Sequence, residues 1–154
     1  MIHIANTTYR ELADAVFLKI KDHSFCEMSE DIAYEIVIGY MRPAIVAFQS
    51  CVSQDLSDRD DVLGEFNFQL TDTNFIILVN YMVIEWLDSN YIRTSAALKS
   101  RLSSSDFHSL SLDRQLSKAM ELHNTLKSEN DQLAINKSYI DSKLFDLVAN
   151  RKKV

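Results

Sequence analysis

Along most of this chain apolar residues recur at intervals of three and four, the spacing of one face of a helix rather than of a strand. Tyr9, Leu12, Val16 and Ile20 keep that interval. They open at Thr8-Tyr-Arg-Glu11, a capping box in which the hydroxyl and the carboxylate each accept a hydrogen bond from the other residue's backbone N–H. A loop through His23, Ser24 and Cys26 then leads to Ser29, the predicted N-cap of a second helix running to about Cys51. One stripe of that helix reads Ile32, Ile36, Tyr40, Ala44 and Phe48, and the adjacent stripe reads Ala33, Val37, Met41 and Ile45. An apolar face so wide predicts a central helix. Pro43 lies inside the segment; it lacks a backbone donor and its ring strikes the preceding turn, so a kink or break is expected there.

Residues 53 to 65, SQDLSDRDDVLGE, are polar and acidic and predict a surface loop. Calcium does not fit them. An EF-hand loop starting at Asp58 needs oxygen ligands at alternate positions and glycine sixth, but Val62 takes the third ligand position and Leu63 the sixth. In GEFNFQLT, Phe66, Phe68 and Leu70 alternate with Asn67 and Gln69, the period-two signature of a half-buried strand. One strand cannot satisfy its own backbone groups. With no second good strand in the pattern, the expectation is pairing across a subunit boundary, the alternative being an extended segment laid on a helix.

The stretch NFIILVNYMVIEWLDSNYI, residues 74 to 92, is too interrupted to cross a bilayer, because Asn80 and Glu85 break it and Asp72 and Asp88 flank it. It predicts a third, core helix capped by Thr71, Asp72 or Thr73. Phe75, Leu78, Val79, Met82 and Trp86 form one stripe, with Ile76, Val83 and Leu87 beside it. Trp86 and Tyr91 suit either that core or an interface, where aromatic anchors are enriched. Beyond them a short helix is expected around Ala96 to Leu102, broken by three consecutive serines. From Leu112 a longer helix places Leu112, Leu116, Ala119, His123, Leu126, Asn130, Leu133 and Lys137 on a four-three seam. Polar occupants of such a seam fix register at some cost in stability. The apolar end, Tyr139, Ile140, Leu144, Phe145, Leu147 and Val148, is followed by Arg151, Lys152 and Lys153 and reads as a docking segment.

Composition narrows the function classes. Only two glycines and one proline occur in 154 residues, too few for the tight turns of sheet-rich folds or for phosphate loops. The fold class expected is mainly α: a helical bundle with one short strand or hairpin-like extended segment and a long C-terminal helix. One domain is expected, with residues 1–110 as a helical core carrying the extended segment near 65–70, and residues 111–154 as its long helix and tail. Net charge is −6, which disfavours adhesion to nucleic acid. Cys26 and Cys51 form no C-x-x-C pair and are expected as buried, reduced thiols. The first residues show no signal-peptide pattern, so a cytoplasmic chain is expected.

Chemistry is sparse in the sequence. Neither Gly39 nor Gly64 sits in a phosphate-binding motif, His3, His23, His108 and His123 have no i, i+4 partner, and no serine occupies G-x-S-x-G. Glu30, Asp31 and Glu35 complement the dipole of the second helix. No enzyme activity, cofactor or metal is expected, and no membrane association.

Three segments in order carry a resemblance: EIVIGYMRPAIVAF, then GEFNFQLTDTNFIILVNYMVIEWLDSNYI, then ALKSRLSSSDFHSLSLDRQLSKAMELHNTL. Across roughly residues 30 to 140 the chain resembles small structural proteins of the head-completion and neck region of tailed bacteriophages, particularly those infecting Firmicutes and related anaerobes. The most reminiscent features are GEFNFQL leading into a helix that ends EWL, and SSDF before the long helix. The resemblance implies a head-to-tail connector or adaptor subunit of the virion, assembled in the host cytoplasm as a ring on the portal and extending the DNA channel toward the tail. Its implied partners are the portal and other neck or tail proteins, with DNA passing without sequence-specific binding; acidic walls repel phosphate. On this reading Phe66, Phe68 and Trp86 are expected between subunits, the alternative being that Phe66 and Phe68 cover their own core and the tail is frayed. Leu144, Phe145, Val148, Arg151, Lys152 and Lys153 are expected to dock on the portal. Two other classes compete: a cytosolic helical interaction module acting through residues 112–137, and a ligand-binding bundle using the Trp86 region.

Overall fold

The structure, a computed structural model, describes residues 5–101 and 106–142, with side chains omitted between 98 and 111. Helix α1 (Tyr9–Lys19) is followed by a 3-10 turn (His23–Glu27), α2 (Glu30–Gly39) and α3 (Met41–Phe48). A two-residue hairpin, β1 (Arg59–Asp60) and β2 (Glu65–Phe66), precedes α4 (Asp72–Leu87). A π turn (Asp88–Arg93), α5 (Thr94–Arg101) and the long α6 (Asp106–Asp141) complete the described chain. The architecture is mainly helical, with a small antiparallel sheet and a long C-terminal helix.

The capping box forms: the Thr8 side chain accepts from the Glu11 N–H, and the Glu11 carboxylate accepts from the Thr8 N–H at 2.8 Å. Tyr9, Leu12, Val16 and Ile20 are buried. Thr71 caps α4 by accepting from the Asn74 N–H. The helix expected through Cys51 divides at Tyr40, one turn ahead of Pro43. Pro43 could not have bonded the carbonyl of Gly39 four residues earlier, and its ring crowds that carbonyl. Placed in the first turn of α3, it gives up only a donor that a helix start leaves unpaired anyway.

Helix α4 is the centre: it packs on α1, α3 and α6, and Ile77, Leu78, Val79, Met82 and Ile84 are all buried. The two-stripe face of the second helix is not. Ala33, Val37, Met41, Ala44, Ile45 and Phe48 are buried, whereas Ile32 and Ile36 of the other stripe face outward. The central position belongs to α4 instead, because α1 lies on only one side of α2. Arg10 of α1 pairs with Glu30 and stacks 4.3 Å from the Tyr34 ring, and Tyr34 donates to Asp14.

The extended segment also departs from expectation, since its partners lie within the chain. β2 pairs antiparallel with β1, Arg59 opposite Phe66 and Asp60 opposite Glu65. The N-terminal segment runs alongside: Phe66 N–H donates to Thr7 C=O at 2.9 Å, and Thr7 N–H to Phe68 C=O at 3.1 Å. Gly64 closes the turn at φ 69°, a conformation that costs glycine little. The cysteines differ from expectation as well. Cys26 is exposed in the 3-10 turn and Cys51 is half-buried, both as free thiols.

Candidate functional site

The residues expected between subunits are drawn inward. Phe66 is 0% exposed, packed edge-on to Tyr9 at 5.7 Å and against Phe68 at 5.7 Å. It fills its own core and cannot reach a neighbour. Phe68 is half-buried against the same core. Trp86 is buried too, with Tyr91 edge-on at 5.3 Å, so it is a core residue rather than an exposed anchor. Leu144, Phe145, Val148, Arg151, Lys152 and Lys153 lie outside the described residues.

What remains on the surface is organised around α6. Its 36 residues span about 54 Å, against about 24 Å for the 16 of α4. One side of α6 docks on α4 through a polar ladder. Lys19 Nζ donates to Asn80 Oδ1, Asn80 Nδ2 to Asn130 Oδ1 at 3.0 Å, and Asn130 Nδ2 to Ile77 C=O at 3.1 Å. Asn130 is 2% exposed, so each of these bonds replaces water that the amide has lost. At the next residue of each helix, Tyr81 OH donates to Asp131 at 2.6 Å, and Lys127 pairs with the same carboxylate at 2.8 Å. The end of the helix is held by Ser53, which donates to Asp141 at 2.8 Å, and by the Lys137 pair with that carboxylate.

The electrostatics follow the contacts. Burial, with the Asp131 bond adding to it, pushes the Tyr81 hydroxyl far up, so it stays a donor. Burial alone would raise Asp131, but the Lys127 and Tyr81 bonds outweigh it and hold the carboxyl below its ordinary value. The Lys137 bond does the same for Asp141. Burial raises Glu85, helped by Asp88 and opposed by Arg93, His123 and Lys127.

Beside the ladder runs a groove of about 390 Å³ lined by Asn80, Val83, Ile84, Leu126 and Leu133, with Lys19 and Glu129 at its rim. On α6 itself Leu122 and Ile140 remain exposed on the flank of the seam, outside the residues that line the groove. On α2, Ile32 and Ile36 do the same. Among the described residues no cluster of His, Cys, Asp and Glu is arranged to hold a metal, and no helix is long and apolar enough to cross a membrane. The expected seam holds from Leu112 to Asn130 and then slips from Leu133 to the buried Ala134. Comparison with known protein families, characterised proteins and solved structures finds no match for this chain.

Proposed function

We propose that this chain is a head-to-tail connector subunit of a tailed bacteriophage, forming a ring on the portal and extending the DNA channel to the tail in the virion neck. The observation that carries the reading is α6: a helix more than twice the length of the one it docks on, secured on one side and carrying exposed apolar residues, Leu122 and Ile140, on its flank. A subunit that must bind its own body and a neighbour at once needs such a two-sided element. The resemblance over residues 30 to 140 supplies the phage context, and the net charge of −6 suits a channel that must not grip DNA. The tail with Leu144, Phe145, Val148, Arg151, Lys152 and Lys153 is the portal-docking segment in this proposal. DNA slides past without being read, and no cofactor takes part.

A regulatory module that seized another helix with residues 112–137 would need the seam that α4 already covers over its second half. Native mass spectrometry or light scattering of the chain, alone and with a candidate portal, separates the two. A ring-sized oligomer, or a monomer that joins the portal in many copies, is the expected result. A stable dimer indifferent to any portal overturns the proposal.

A further inference from the structure

We infer that the outer face of α2 on one copy docks against the exposed flank of α6 around Leu122 on the next copy, a head-to-tail contact; the inference deepens the connector reading and takes only its ring from it. Two separate apolar faces carry the argument. On α2, Ile32 and Ile36 stand one turn apart at 50% and 39% exposure, while Ala33 and Val37 serve the chain's own core. On α6, Leu122 and Ile140 are 51% and 72% exposed. They are eighteen residues apart, about five full turns of a straight helix, and so lie on the same side.

Charge decides what covers what. Asp31 and Glu35 flank Ile32 and Ile36 on α2, are exposed, and form no ion pair among the described residues. Arg114 and Lys118 precede Leu122 at successive four-residue steps on α6, and they too are exposed with no ion pair among the described residues. Pairing α2 with α2 would set carboxylate against carboxylate, and pairing α6 with α6 near Leu122 would set cation against cation. Pairing α2 with the end of α6 that carries Arg114, Lys118 and Leu122, short of Glu129, sets opposite charges around a shared apolar centre, the arrangement that steers and orients association. Gly39, one turn past Ile36, is exposed, and a Cβ placed on it would meet nothing within 4 Å, so a partner helix can approach there. A contact between two different faces is heterologous, and such contacts generate rings when the rotation closes.

The test uses the full chain in two variants, Ile36→Glu and Leu122→Glu, both at exposed positions that leave the core intact. Each should weaken self-association by at least about tenfold, since each sets a carboxylate against an apolar or acidic partner surface. Far-UV circular dichroism and thermal unfolding check that both still fold. Each variant keeps one good face, so mixing them should yield a one-to-one dimer that grows no further, read by native mass spectrometry. A mixture that stays monomeric while wild type assembles overturns the inference. Variants that assemble, or decorate a portal, like wild type overturn it and leave the connector reading standing. Wild type that assembles through these faces yet ignores every portal upholds the contact and overturns the connector reading.

Discussion

Helix α4 uses its two sides differently, and the contrast separates the part of this molecule that holds the fold from the part that positions α6. Toward α3 the contact is hydrocarbon: Phe48, Ala44, Leu78 and Met82 are at most 2% exposed, and Phe48 lies 5.9 Å from the Tyr81 ring. Toward α6 the buried centre is an amide ladder, with a phenol–carboxylate bond beside it. Hydrocarbon packing is non-directional and tolerates a small rotation of one helix against the other. Amides do not, because a shifted register would leave Asn130 buried without its partners. The first contact supplies stability and the second supplies placement.

The contrast can be broken from its larger side. Phe48→Ala should cost about 3–5 kcal/mol of global stability, measured by denaturant unfolding, because the cavity opens at the side α3 presents to α4. Asn130→Ala should cost about 1–3 kcal/mol, since it removes both bonds of a buried amide, to Asn80 and to the Ile77 C=O. Its loss should appear first as faster hydrogen exchange in α6 than in α3. Equal acceleration in both helices would mean that the two contacts open as one unit. Tyr81→Phe removes only the bond to Asp131 and should cost about 1 kcal/mol.

Acid sharpens the same distinction. Asp131 and Asp141 have lowered values in the folded chain, so their contribution is present above the ordinary carboxylate value and is lost as pH falls through the folded one. Below about pH 4 the α6 contact should loosen before the hydrocarbon side does, seen as exchange in α6 rising ahead of that in α3. The smallest effect belongs to neither contact: Gly39→Ala should stabilise the chain by up to about 1 kcal/mol, because a helical glycine gives up more freedom than alanine and the space is open.

Much of the fold was legible in the pattern, for reasons that lie in particular residues. The Thr8–Glu11 box and the Thr71 cap are local chemistry written in a few residues, and both formed. Pro43 announced a break, and the structure sets it one turn earlier because the clash is with a carbonyl four residues back. Ile32 and Ile36 misled because periodicity marks which positions are apolar but not which are covered. The partner of β2 was invisible: Arg59–Asp60 has no alternation to detect, and the Thr7 contact depends on where the chain start is laid by the fold. The seam on α6 was readable through Asn130 and then drifted, since a straight helix has 3.6 residues per turn and not 3.5. At Ala134 the small side chain lets α4 come close where Leu133 would not. Of the expected interface residues, Phe66 and Trp86 went to the core because burying a large ring on folding needs no partner. The faces on α2 and α6 were recognisable only once the covered positions were known.

The bonds that seat α6 also carry a consequence for the order in which the chain folds. Asn80 meets Asn130 across 50 residues, and Ser53 meets Asp141 across 88. Loops of that length must close before such contacts return anything, whereas Arg10 finds Glu30 across 20. The surface that α6 needs does not exist until α1, α3 and α4 have met, so α6 should be the last element to seat and the first to leave. A chain emerging from the ribosome would then present a finished body first, and lay its longest helix on it only afterwards.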